Sequence, residues 1–372
     1  MLASLVLSAI LAVASSTFVS NGVATTGGSG AVATTLPTPQ FRRFEIADGL
    51  PGGAMYSLAQ DHNGLMWFGS AGGLVRYDGV SFKVFRHVAG DPDSLPANST
   101  YTLLVDRDNR IWTGGVSSGL TVYDQSTGRF RHWEHDDQHL DSLADNEVWS
   151  IAQTTDGALW VATQDGLDRM RPDGSGFDHV PLDIGATHVA SFGTTRALLA
   201  ESDGRLWIGA ESGLYLRNAD GSLHRVPVDP AFHGDMRKIW AIEGGNGEVR
   251  VALEGGLLII GTDGVARPVA RQALSSLRIM SSARDRQGRL WIGKPDGLLL
   301  DAGDGHLQSI DGHPLLPGGL PGNKTWKTFV DREGGLWIAF DESCIAYLPP
   351  GWDGFSRFTH VPDDKDSLSE VA

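Results

Sequence analysis

From residue 56 to residue 360 the apolar positions come in short runs broken by Gly, Asp and Asn. The first runs cover residues 56–60, 65–68, 74–77 and 82–85. Between them lie Asp61-His62-Asn63-Gly64, Ala71-Gly72-Gly73 and Asp78-Gly79. Such runs, bounded by turn residues, predict four short antiparallel strands, here a to d. The unit then repeats. Its centre is Trp67-Phe68-Gly69, followed by Trp112-Thr113-Gly114, Trp160-Val161-Ala162, Trp207-Ile208-Gly209, Arg250-Val251-Ala252, Trp291-Ile292-Gly293 and Trp337-Ile338-Ala339. The anchor positions are 41 to 48 residues apart. A period in the forties, made of strands, predicts a propeller. Seven copies predict an all-β, seven-bladed β-propeller of four-stranded antiparallel blades.

The repeated indole has a structural reading. Blades pack face to face, so a bulky ring on strand b fills the wedge between neighbours, and the small residue two places on lets backbones approach. In the fifth copy Arg250 replaces the ring, which reads as a worn repeat whose guanidinium reaches an edge, with a blade altered for a ligand as the alternative. Asp- and Asn-rich a–b turns lack the spacing of a calcium loop and read as turn chemistry. No metal or other cofactor is expected.

Topology directs the search for a ligand. Turns a–b and c–d share one face, and loops b–c and d–a share the other. The d–a connections are long, at 87–100, 132–148, 181–195, 227–238 and 311–324, and long loops on a rigid scaffold carry recognition. They supply His132, Trp133 and His135, then His233, Arg237 and Lys238, and finally Lys324. A second series lies at the entry to strand a: Tyr56, Tyr101, Trp149, Arg196, Trp240, Met280 and Trp326, each ten or eleven residues before its anchor. If strand a is innermost, this series borders the channel mouth, where flat rings stack on sugars. Alternation (Tyr56 with Leu58, Trp149 with Ile151) instead points the rings at an adjacent blade, and that packing reading is preferred.

The formal net charge is −15. It argues against nucleic acid and against an anionic membrane surface. A neutral or cationic ligand remains, or an anion held by a local basic patch. The one cysteine, Cys344, excludes an internal disulfide and reads as a small buried residue. Residues 1–22 read as a signal peptide or N-terminal anchor, with Ala12-Val13-Ala14 as a cleavage signal. Residues 23–40 read as a flexible linker, 41–360 as the propeller, and 361–372 as the start of a truncated further repeat.

The pattern Asp-x-x-Gly-x-Leu-Trp-Ile-Gly…Gly-Leu-x-x-Tyr-Asp, best seen at 61–78, 106–124, 203–217 and 287–300, resembles the two-component regulator propeller repeat. The resemblance implies a periplasmic sensor region. In the family two such propellers precede a β-sandwich, a membrane helix and a histidine kinase or diguanylate cyclase, and polysaccharide breakdown products are ligands in one branch. It also implies a homodimer in the intact sensor. This chain departs from that plan after its first ring. Residues 355–368 align without gaps on 82–95, a strand d and the loop after it. Residues 41–46 also resemble strand d. They would close the seventh blade, with closure by 355–360 as the alternative. The expected function is a non-catalytic, ligand-sensing input module, with a small molecule or oligosaccharide as ligand and no catalytic residues. The alternatives are a propeller lyase or hydrolase, which would need acid/base pairs to converge at the channel, and a passive protein-binding scaffold.

Overall fold

The computed structural model describes residues 37–182, 194–245, 247–269, 274, 277–303, 306–313, 315–322, 324–342 and 344–354. The expected signal peptide, most of the linker and the expected further repeat lie outside them. The described strands form seven separate four-stranded sheets. Six contain four consecutive strands; in blade 1 these are Met55–Gln60, Met66–Ser70, Gly73–Tyr77 and Phe82–Phe85, joined antiparallel. The seventh contains Thr325–Val330, Leu336–Phe340 and Ile345–Leu348, and its fourth strand is Arg42–Phe44. Arg42 faces Tyr347 and Phe44 faces Ile345 in antiparallel register. The N-terminal side of the chain therefore closes the ring, as residues 41–46 suggested. Phe44 locks the join: it is buried, stacks on Trp337 at 5.8 Å and meets Tyr77 edge-on at 5.3 Å.

The wedge reading of the tryptophans holds. All six are at most 5% exposed. Trp67 of blade 1 packs with Ile111, Tyr123 and Phe130 of blade 2, and Trp207 of blade 4 with Val251 and Leu253 of blade 5. The small residue after each ring is needed for close approach. A Cβ on Gly114 would lie 2.5 Å from Val148 Cβ, and one on Gly209 2.8 Å from Ile239 Cγ2, both on the next blade.

The a–b turns do more than turn. Each indole N–H donates to an oxygen six residues upstream: Asp61 at 3.0 Å, Asp106 at 2.8 Å, Thr154 at 3.1 Å, Glu201 at 2.7 Å, Asp285 at 3.0 Å and Asp331 at 2.8 Å. The same Asp61 carboxylate accepts the turn N–H groups of Asn63 and Leu65. One side chain thus holds the turn and satisfies a buried donor. Blade 5 has lost both halves of the device, with Gly244 where the acceptor stands and Arg250 where the ring stands. Arg250 does not reach an edge. It is 3% exposed, donates to Ser282 Oγ of blade 6 at 3.0 Å and pairs with Glu248 at 3.0 Å. Burial would push the Glu248 carboxyl up, but Arg284 and Arg250 together hold it below the usual range.

Cys344 is buried, as expected, and burial pushes its thiol up to about 12.

Candidate functional site at the channel mouth

The entry of strand a is irregular in the same way in five of the seven blades. Pairing with strand b slips across Tyr56, Trp149, Arg196, Trp240 and Trp326, so each is the extra residue of a β-bulge. In blades 2 and 6 the equivalent residues, Tyr101 and Met280, immediately precede the regular ladder and donate their N–H to Gly114 and Gly293. A bulge breaks the two-residue alternation and re-aims its side chain. That is why the alternation argument fails here: Tyr56 and Leu58 do not share a regular strand face. The seven residues line one axial cavity of about 420 Å³, with Ser57, Thr102, Ser150 and Lys327 beside them. Its size falls in the range of small-molecule sites.

The rings also touch one another. Trp326 meets Tyr56 edge-on at 5.4 Å, Tyr56 meets Tyr101 at 4.2 Å, and Tyr101 stacks on Trp149 at 5.7 Å. The Arg196 guanidinium then lies 4.5 Å from the Trp149 ring and 5.7 Å from the Trp240 ring. Packing and cavity lining are thus properties of the same residues, which form a collar. Burial, then the neighbouring Tyr101, push the Tyr56 phenol up. Beside the collar, Lys327 of blade 7 pairs with Glu243 of blade 5 at 2.7 Å, and Glu243 accepts from Ser282 Oγ of blade 6 at 2.8 Å. Sequence reasoning missed this bridge. Its one signal is that the residue after the collar position is small in six blades and Lys327 in the seventh.

The remaining expected site residues are not in the collar. His132 and Trp133 belong to the outermost strand of blade 2, Arg129–Trp133, not to a loop. Trp133 stacks on Trp112 at 5.5 Å and donates to the Gly174 carbonyl, within a groove between blades 2 and 3. His132 bonds Thr121 Oγ1 at 3.1 Å. His135 fastens its own loop: its ring contacts the Leu143 carbonyl at 2.6 Å and Asp137 at 2.9 Å, and its N–H donates to Asn146. The Leu143 carbonyl, then Asp137, raise its pKa. His87 repeats the arrangement with Leu95 and Asn98. Arg237 and Lys238 lie in strand a of blade 5, Asp235–Gly245, and Arg237 pairs with Asp235. His233 is exposed beside a small apolar pocket that includes Phe232 and Leu274. Lys324 sits at the rim, paired with Asp341 and 5.8 Å from the Trp326 ring.

One sequence feature escaped the motif reading. Residues 115–119 match the G-x-S-x-G pattern of a nucleophile elbow. Here they join strands Ile111–Gly114 and Leu120–Asp124, whereas an elbow joins a strand to a helix. Ser117 has φ +54° and is exposed, and among the described residues no histidine bonds its hydroxyl.

The model of the two component regulator propeller matches residues 49–72 and 142–165, each running from the loop before strand a through strand b, in blades 1 and 3. The chain carries two component regulator propeller repeats. No curated protein matches it. Among solved structures, this propeller is similar to the extracellular domain of the putative hybrid two component system BT3049 from B. thetaiotaomicron. The identity is 21% and the TM-score 0.69, over 83% of this chain and 42% of that one. The extracellular domain of the putative one component system BT4673 from the same organism gives 21% identity and a TM-score of 0.68, over 83% and 40%. A streptogramin B lyase gives 15% and 0.61, over 83% and 97%. At these identities the likeness is one of fold. This propeller-repeat chain spans about two-fifths of the length of the two extracellular domains.

Proposed function

We propose that this chain is the extracytoplasmic, ligand-sensing input module of a bacterial signal-transduction protein of the two-component or cyclic-di-GMP type. It performs no chemistry itself. It binds a small molecule or oligosaccharide at the collar, and a larger parent protein reports the binding across a membrane, as a dimer. The supporting observation is a bulge that recurs in five blades: it turns Tyr56, Trp149, Arg196, Trp240 and Trp326 out of the ladder, and with Tyr101 and Met280 they line one cavity. Bulges that re-aim side chains recur beside functional sites. The propeller repeat and the fold shared with two sensor extracellular domains support the sensor class.

The test is a thermal-shift and calorimetric screen of the ring against neutral and acidic oligosaccharides. A ligand that binds only the folded state raises its apparent stability. Trp149→Ala and Trp326→Ala should each weaken a hit about tenfold, roughly the value of one aromatic contact. If these variants lower the melting temperature but leave binding unchanged, the collar is a plug and the site lies elsewhere. Turnover of a hit by the purified ring would replace the sensor with an enzyme.

A further inference from the structure

We propose that the collar ligand is a ring compound bearing one carboxylate, and that Arg196 is the residue that receives it. This rests on the collar being the ligand site.

Arg196 stands where five other blades put an aromatic ring and one puts Met280. The bulge turns it toward the same cavity. Its guanidinium lies over the faces of Trp149 and Trp240. Contact through the π-face leaves the in-plane N–H groups free, and those are the groups that grip a carboxylate in bidentate fashion. Among the described residues, no hydrogen bond or ion pair uses them. The other cations beside the collar are committed: Arg278 to Glu254 at 2.7 Å, Lys327 to Glu243 at 2.7 Å, and Lys324 to Asp341. Arg196 is the exception.

Such an arrangement costs stability. A half-buried charge with no ion-pair or hydrogen-bond partner loses hydration that contact with two ring faces offsets only in part. Burial pulls the Arg196 guanidinium below its ordinary range, and Glu147 and Glu211 act against that from beyond ion-pair distance. The fold nevertheless holds the group stacked and open, as expected of a site kept ready for an anion. The overall charge of −15 does not oppose this, because charges more than about 8 Å away are screened at physiological salt. One free cation suits one negative charge, whereas a phosphate dianion would need a second. The aromatic arc from Trp326 to Trp149 offers flat faces to the body of a ring, and Thr102 and Ser150 offer hydroxyls.

The test uses two isosteric pairs that differ in charge: glucuronate with glucuronamide, and benzoate with benzamide. Binding to the purified ring is read by ligand-observed NMR up to high millimolar concentration. At least one acid should bind about tenfold or more tightly than its amide, the yield of a charged hydrogen-bonded contact. Arg196→Gln should abolish that preference, and Arg196→Lys should restore part of it. The melting temperature of each variant confirms that it is folded. Equal binding of acid and amide in both pairs overturns the proposal, as does a preference that survives in Arg196→Gln, or no binding of either acid. If the amides bind and Trp149→Ala weakens them, the collar stands and only the anion assignment falls.

Discussion

The tether between a turn acid and the wedge tryptophan can be tested on Asp61. Its carboxylate and the Trp67 ring are both fully buried. One oxygen accepts the indole N–H at 3.0 Å, and the other accepts the N–H groups of Asn63 and Leu65 at 2.9 and 3.0 Å. Asp61→Ala strands an indole donor that water cannot reach, at a cost of about 1–3 kcal/mol. The two turn donors are half-buried and regain part of their loss from solvent, adding about 1 kcal/mol. The total is about 2–4 kcal/mol. Asp61→Asn keeps the turn acceptor but sets an amide nitrogen against the indole, so only the first cost remains. Asp61→Thr copies Thr154, whose hydroxyl accepts from Trp160 while Asp156 holds that turn. It should cost least. Urea unfolding followed by far-UV circular dichroism ranks the three. A double-mutant cycle of Asp61→Ala with Trp67→Phe isolates the pair, with an expected coupling of about 1–2 kcal/mol. Additivity within about 0.3 kcal/mol would show that the turn alone explains the acid, and the tether would be refuted.

Two further outcomes follow from burial. Phe44→Ala should cost about 3–5 kcal/mol, because it removes a buried ring from the seam between blades 7 and 1. It should also expose the N-terminal strand to limited proteolysis before any other strand, and a loss under about 1 kcal/mol would mean that this strand does not clasp the ring. Cys344, with its thiol raised to about 12 by burial, should hold roughly one part in ten thousand as thiolate at pH 8. A disulfide reagent should therefore titrate no thiol until the ring is unfolded, and rapid native labelling would contradict the burial.

The fold was legible because the wedge needs the same chemistry in each blade. A ring, a small residue and a Gly-rich turn recur at spacings that only a ring of equivalent sheets explains. The tether was visible too, as an oxygen-bearing residue six places before each tryptophan, and its loss at Gly244 coincides with the loss of the ring at Arg250. Turn chemistry alone accounts for that offset in the sequence, and so hides the tether. The collar was legible as a position and not as a direction. Alternation assumes an unbroken ladder, and a one-residue bulge cancels it without leaving a mark in the composition. Several candidates read as loop lie in strands. His132 and Trp133 read as loop in the sequence, yet they end the outermost strand of blade 2. The partners that tie His135 into its own loop are the Leu143 carbonyl, the Asp137 carboxylate and the Asn146 amide, and the sequence does not show that they meet it. Comparison with His87 would have helped: both copies carry Ser-Leu seven and eight residues on and Asn at eleven.

What separates a binding site from an axial plug is the way symmetry is broken. A ring of equivalent blades places equivalent side chains around its axis, and a plug has no reason to vary them. Here the variation is not scattered. From blade 7 through blades 1 and 2 to blade 3 the collar is unbroken aromatic, Trp326, Tyr56, Tyr101 and Trp149 in mutual contact. From blade 4 onward it departs, with Arg196, then Trp240 flanked by Arg196 and Arg278, then Met280. Blades 5 to 7 also carry the Glu243–Ser282–Lys327 bridge and the Arg250 substitution in the wedge. The polar changes thus fall on blades 4 to 7, while the unbroken aromatic arc runs from blade 7 to blade 3. In the proposed site a ligand would lie against this aromatic arc with the Arg196 guanidinium at the arc's end, and would so be oriented as well as held. If the collar is the ligand site, such orientation would turn occupancy into a fixed geometry relative to particular blades, which a downstream element could read.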